Sequence, residues 1–303
     1  MRARMTVPIL PAGKFEELKD YLKRVGFSFE DRPNQLFLAR APDLVVSLYA
    51  SGKVVIAGKD RTLEREVRWY LSKLGAIGEA LPEKLEALKG RTRIGTDEAG
   101  KGDYFGPLVV AGVVLDERAE KEAMATGVRD SKALSDAFAL DLSFKVREVA
   151  GRGNSELLRI FPEKYNEMYS KMGNVNHILA WAHARVIEVL LGARPDCRLV
   201  VVDQFSARSL EAALSDRGRS AELVQSVRGE RDAAVACASI LARAGFLDGL
   251  SKLGDQFGTA FPKGAAAVVP CAREFVREHG KEGLGRVAKL HFRTTEKVFR
   301  PLI

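Results

Sequence analysis

The sequence predicts an α/β protein, a mixed sheet flanked by helices, preceded by a small α+β unit. Three observations carry this reading. From residue 93 onward strand-like and helix-like segments alternate, which argues for helices packed against a sheet. Within that region Leu108–Leu115 and Leu199–Val202 are continuous apolar runs, as in strands covered on both faces. Before residue 80 the order is different: a helical pattern, three strand-like segments, then a second helical pattern. The expected organisation is a unit over residues 1–80, a linker over 81–92 and a larger domain over 93–303.

In the first unit Phe15, Leu18, Leu22 and Val25 recur at helical spacing and Gly26 ends the run. Gln35–Arg40, Leu44–Ala50 and Lys53–Ala57 read as strands, with Ser51-Gly52 as a tight hairpin turn. A helix from about Thr62 to Leu74 carries Leu63, Val67, Leu71 and Leu74 on one face. Gly75, Gly78, Pro82 and Lys89-Gly90-Arg91 then loosen the chain. In the larger domain, Arg93 to Thr96 reads as a strand leading into a loop, and Leu108–Leu115 returns beside it. Ser135 is placed to cap a helix running to about Ala150. Glu156 to Ile160 reads as a strand, and Val175 to Leu191 as a long helix with Ile178, Trp181, Ala182, Val189 and Leu190 towards its apolar side. Leu199–Val202 delivers Asp203 at its carboxyl end, and a helix rich in small residues spans Ala233 to Leu247.

Composition narrows the classes of function. The 303 residues are 46% hydrophobic and 29% charged, as in soluble globular proteins. A formal net charge of +8 favours polyanionic partners, nucleic acid first. No apolar run reads as membrane-spanning, and the N-terminus lacks a convincing signal peptide. Cys197, Cys237 and Cys271 show neither disulfide nor metal spacing, which suits a reducing cytoplasm.

The stretch Ile94 to Val114, I-G-T-D-E-A-G-K-G-D-Y-F-G-P-L-V-V-A-G-V-V, concentrates the chemistry. Adjacent carboxylates, Asp97 and Glu98, precede the glycine-rich loop Gly100-Lys101-Gly102. Neighbouring carboxylates repel and resist burial unless positive charge lies between them; oxygen donors suit magnesium or manganese. Gly95 to Lys101 also fits G-x-x-x-x-G-K, but Gly102 stands where Ser or Thr belongs and an apolar strand follows where a phosphate-binding loop needs a helix. Asp203, at the end of a buried strand, occupies the position at which open α/β sheets bind ligands. Glu230 and Asp232 open the small-residue helix, where capping is the alternative role for each.

D-E-A-G-K-G-D-Y-F-G-P resembles the signature of the type 2 ribonucleases H and, within them, of the ribonuclease HIII branch. D-S-K-A-L-S at Asp130–Ser135, A-S-I-L-A-R at Ala238–Arg243, F-P-K-G-A at Phe261–Ala265 and K-L-H-F-R-T-T at Lys289–Thr295 extend the similarity. The resemblance implies a ribonuclease H-like sheet domain and an N-terminal unit like the TATA-binding protein that helps hold the substrate duplex. The activity it implies is hydrolysis of the RNA strand of RNA/DNA hybrids with Mg2+ or Mn2+, two ions per site, leaving 5′-phosphate and 3′-hydroxyl ends. On this sequence it assigns the catalytic and metal-binding carboxylates to Asp97, Glu98, Asp203 and Glu230, with Asp232 as the alternative to Glu230. Gly100, Lys101 and Gly102 would read a 2′-hydroxyl and a phosphate; Ser131, Lys132 and Lys263 would contact phosphate. In the first unit Arg32, Asn34, Phe37, Arg40, Tyr49, Lys53 and Lys59 are candidate contacts, with Phe37 and Tyr49 read first as core. His291 is read as packing. A monomer is expected. The alternatives are a type II ribonuclease H cutting at single ribonucleotides in DNA, and a non-catalytic hybrid-binding protein.

Overall fold

The computed structural model describes residues 8–78, 85, 87–128, 135–203, 207–226, 229–265 and 267–300. The chain divides into two units, Met1–Glu83 and Lys84–Ile303.

In the first unit, period-two burial makes the sheet one-sided. Strands β2 (Ser28–Glu30), β3 (Phe37–Ala41), β4 (Leu44–Leu48) and β5 (Val54–Gly58) pair antiparallel in sequence order. Phe37, Ala39, Leu44, Val46, Leu48, Val54 and Ile56 face one buried core with Leu18, Leu22, Val67 and Leu71 from helices α1 (Phe15–Arg24) and α2 (Arg61–Lys73). The rings of Tyr21 and Tyr70 stack at 3.7 Å between those helices. A short ribbon pairs β1 (Pro8–Ile9) with β6 (Ile77–Gly78). The expected helices and three strands are present; β1, β2 and β6 are additions, too short to show a period. Phe37 is core. Arg32 and Arg40 both pair with Glu30 on an exposed surface, at 3.0 and 2.9 Å.

The second unit is built on five strands: β7 (Arg93–Ala99), β8 (Leu108–Leu115), β9 (Ser155–Ile160), β10 (Leu199–Asp203) and β11 (Glu222–Ser226). Their order is β11-β10-β7-β8-β9; β7, β8 and β9 are mutually antiparallel, and β10 and β11 lie parallel to β7. Around the sheet lie α3 (Glu117–Ala125), α4 (Asp136–Ala150), α5 (Pro162–Met172), α6 (Val175–Ala193), α7 (Ala207–Ala213), α8 (Asp216–Arg219), α9 (Ala233–Phe257), α10 (Val269–Val287, broken at Gly280) and α11 (Arg293–Phe299). Every residue of β8 is buried, because α9 covers one face of the sheet and α6 the other.

Several sequence expectations change. The α9 helix runs on to Phe257 rather than stopping at Leu247, since Leu250 and Leu253 continue its buried stripe. It is long and apolar enough to cross a membrane, yet 72% of its apolar window is buried in the protein; it is the core helix. On α6, Trp181 and Val189 are 37% and 45% exposed, whereas His183 takes a fully buried position. Within the stretch read as a linker, Leu85 and Leu88 are buried, and Gly90 N–H donates to Glu120.

Candidate active site

Strand register assembles the site. Val200 lies beside Ile94, Val201 beside Gly95 and Val202 beside Thr96. The next position on each parallel strand is an aspartate, Asp97 on β7 and Asp203 on β10, and Asp203 in turn pairs with Ser226 of β11. Gly95 is required for the layering behind them, because a Cβ there would stand 2.2 Å from the α9 backbone at Ala234 and Val235. That close approach also orients the strand: Gly95 and Asp97 look towards α9, while Thr96 and Glu98 look towards α6. The sequence reading set both carboxylates side by side at the mouth of a loop. Instead β7 runs on through Ala99, so they occupy opposite faces at the strand's end.

Asp97 is half-buried, and its Oδ1 accepts the Glu98 N–H at 2.8 Å. The Glu98 side chain is 15% exposed and sits between two cationic or donor groups. Its Oε2 lies 3.3 Å from His183 Nε2, and its Oε1 lies 3.5 Å from Lys101 Nζ. Burial pushes the Glu98 carboxyl up, but His183 and Lys101 together outweigh it and hold the group below its ordinary value. The other His183 nitrogen, Nδ1, is 2.8 Å from Thr96 Oγ1.

The glycine loop is held from behind. Gly100 adopts φ +83°, and a Cβ would meet the Pro107 carbonyl at 2.2 Å. Gly102 is exposed with open space around it. Tyr104 N–H donates to the Gly264 carbonyl, and Gly264 N–H donates to Asp103 Oδ1 at 2.6 Å. Phe105 bridges to Ala288, and the buried Lys289 ammonium donates to the carbonyls of Asp103 and Gly106 at 2.8 and 2.7 Å. Three segments singled out separately, G-K-G-D-Y-F-G-P, F-P-K-G-A and K-L-H-F, are therefore one packed unit. Tyr104 is fully buried and hydrogen-bonded to Thr295. His291 packs on the Tyr169 ring at 4.3 Å. Lys263 is ion-paired with Asp136, which Arg243 also holds at 2.8 Å. Ser131 and Lys132 lie outside the described residues.

Glu230 stands on a one-turn 3-10 segment, Gly229–Arg231, directly before α9. Asp232 is committed elsewhere: its Oδ1 caps α9 by accepting from Ala234 and Val235, and its Oδ2 accepts from Arg93 Nε at 2.6 Å. Burial pushes the Asp232 carboxyl up, and Arg93 and the two helix N–H groups oppose it. Arg93 opens β7, four residues from Asp97, so Asp232 serves the far end of the strand.

At the Asp97 end the half-buried Asp97 and the sheltered Glu98 supply carboxylate oxygens, donors that suit a hard divalent cation. Among the described side chains no group of three His, Cys, Asp or Glu residues converges on one point; the side chains of Asp203 and Glu230 are not among them. Sequence reasoning missed His183, Arg93 and Lys289. For His183 and Arg93 the available signal was a polar residue on a stripe or strand that is otherwise buried; Lys289, directly after Ala288, carried no such signal.

The ribonuclease HII family model matches residues 94–295. Ribonuclease HIII of Chlamydia caviae is 37% identical over 289 residues, covering 93% of each chain. The crystal structure of Bst-RNase HIII in complex with Mn2+ superposes with a TM-score of 0.69 at 29% identity, covering 97% of each chain. The ribonuclease H2 of Pyrococcus horikoshii, at 22% identity and TM-score 0.57, shares the fold over 68% of this chain. Full-length similarity, the first unit included, together with the family match across the sheet domain, establishes that the chain belongs to the ribonuclease HIII family, the type 2 ribonucleases H that are endoribonucleases acting on the RNA of RNA/DNA hybrids.

Proposed function

We propose that this chain hydrolyses the RNA strand of RNA/DNA hybrids by divalent-metal-assisted phosphodiester cleavage, leaving 5′-phosphate and 3′-hydroxyl ends. Asp97, Glu98, Asp203 and Glu230 form the carboxylate set in this reading. The observation that carries it is the register that sets Asp97 and Asp203 on neighbouring strand ends, with the electrostatically held Glu98 beside them. A pair of Mg2+ or Mn2+ ions held there supplies an activated water and stabilises the leaving oxygen. Asp97 and Glu98 position and neutralise that charge from the two faces of β7. Gly100 and Gly102 let the backbone approach the ribose 2′-hydroxyl, and Lys101, 40% exposed, offers its ammonium to a phosphate. Ser131, Lys132 and Lys263 are further phosphate contacts in this reading, and the exposed Arg32, Asn34, Arg40, Lys53 and Lys59 suit the first unit to the duplex backbone. The reading includes a monomer in a reducing cytoplasm, supported by three free thiols.

The test is cleavage of matched duplexes: RNA/DNA hybrid, double-stranded RNA, double-stranded DNA, and DNA with one ribonucleotide, each with Mg2+, Mn2+ or chelator. Metal-dependent cutting of the hybrid is the expected result. Preferential cutting at the single ribonucleotide would replace the substrate assignment, and binding without cutting would remove the catalytic one.

A further inference from the structure

His183, which contacts the candidate carboxylate Glu98, is not exposed to substrate. His183 is fully buried on α6, and both ring nitrogens are engaged, one by Thr96 and one by Glu98. The strand period explains the geometry. Thr96 and Glu98 are two residues apart on one face of β7, about 7 Å along the strand, a gap that one imidazole with two hydrogen bonds spans. A histidine that merely filled the core would need only satisfied nitrogens. Here its outer nitrogen is spent on the carboxylate that ends the strand. The arrangement that satisfies every atom has Thr96 Oγ1–H donating to Nδ1 and Nε2–H donating to Glu98 Oε2.

The two oxygens of Glu98 are held differently. Oε2 is tied to a ring with no exposure on a packed helix; Oε1 faces Lys101, whose side chain is 40% exposed and flexible. One oxygen is therefore fixed, and the other can be released when Lys101 swings away. Carboxylates that hold metals are generally oriented by such outer hydrogen bonds, and losing the outer partner typically weakens metal binding or activity about 10- to 100-fold.

We propose that His183, itself oriented by the Thr96 hydroxyl, is the positioning residue that sets the Glu98 carboxylate for a divalent cation and leaves Oε1 as the oxygen it offers. The proposal rests on Glu98 being a metal ligand. It adds a buried Thr96–His183–Glu98 chain that acts through Glu98 without touching substrate.

The experiment is calorimetric titration of Mn2+ into the full-length protein without nucleic acid, for the parent chain and for Glu98→Gln, His183→Gln, Thr96→Val and Thr96→Ser, with melting in chelator measured alongside. The expected result is a Mn2+ dissociation constant raised about 10- to 100-fold by His183→Gln. A smaller rise is expected for Thr96→Val, and near-parent affinity for Thr96→Ser, which keeps the hydroxyl. A purely structural role would lower the melting temperature in chelator in step with packing and would penalise Thr96→Ser for its lost methyl group. Thr96→Val leaves the imidazole's space filled and decides the matter if His183→Gln does not fold. Unchanged Mn2+ affinity in Thr96→Val, with Glu98→Gln weakened, overturns the proposal and leaves the metal-site reading intact. Unchanged affinity in Glu98→Gln overturns the metal-site reading and this proposal together.

Discussion

The two ends of strand β7 treat buried charge in opposite ways. At its start Arg93, with a side chain 1% exposed, spends its donors on Asp232, on both oxygens of Glu120 and on the carbonyls of Leu88 and Arg91. One cation faces two carboxylates there, and the cluster joins β7 to α3, α9 and the turn before the strand. At its end Asp97 and Glu98 are partly open, acidic, and joined by register to Asp203. In the first arrangement both carboxylates are satisfied within the fold, by Arg93 and by the backbone N–H groups of Gly90, Ala234 and Val235. The second gathers carboxylates at a partly exposed strand end, with the half-exposed Lys101 as a neighbouring cation. Partial exposure and an excess of like charge therefore separate a site from a structural ion cluster more reliably than the mere presence of buried charge.

The comparison can be broken most directly at the acidic end. Asp97→Asn should lower the hybrid cleavage rate by at least about 1,000-fold, equivalent to roughly 4 kcal/mol of transition-state stabilisation, while the melting temperature holds or rises. Full activity would remove Asp97 from the site. At the other end Arg93→Met strands two carboxylates, and denaturant unfolding should show a loss of about 3–5 kcal/mol, with Mn2+ affinity of the folded fraction kept. The pair Asp232→Asn and Glu230→Gln sharpens the contrast across two residues. Asp232→Asn should cost about 1–3 kcal/mol of stability and leave Mn2+ binding alone. Glu230→Gln should do the reverse in calorimetry and unfolding, and a swapped result would exchange their roles.

The last effect, graded over several pH units, concerns the clamp behind the glycine loop. Burial lowers the Lys289 ammonium to about 7 from its ordinary 10.5, against a weaker opposing pull from Asp103. Between those values the unfolded chain holds the proton and the native chain sheds it. Raising the pH from 7 towards 10 should therefore stabilise the fold, by at most about 1.4 kcal/mol per pH unit, and the penalty is fully present below pH 7. Comparing urea midpoints of the parent and Lys289→Met across that range checks it; identical slopes would show that the carbonyls of Asp103, Phe105 and Gly106 keep the ammonium charged.

Periodicity made much of the fold readable. β8 was bounded correctly because its apolar run is unbroken, and α1 and α2 were placed, α2 to within one residue at each end, because their stripes recur at helical spacing. The carboxylates Asp97 and Asp203 were legible because each follows a strand-like run, although only Asp203 ends its strand and β7 continues to Ala99. Their separation onto two faces was not, since the end of β7 depends on pairing with β8 as far as Ala99–Val109. Asp232 was indistinguishable from Glu230 in sequence, both lying in the approach to one helix. Its role is decided by Arg93, 139 residues away. His183 was hidden by the same non-locality, its partners Thr96 and Glu98 lying 87 and 85 residues distant.

By itself the sequence determined the family, the alternation of strand and helix, and the acidic residues that end the strands, since these rest on local pattern and residue type. Tertiary structure alone decided which charges neutralise one another. Arg93 could have faced any carboxylate and His183 any acceptor, and only the packing of α9 and α6 on opposite faces of β7 pairs Arg93 with Asp232 and His183 with Glu98. Charge pairing in a low-dielectric interior depends on distance in space, which no local window of sequence contains.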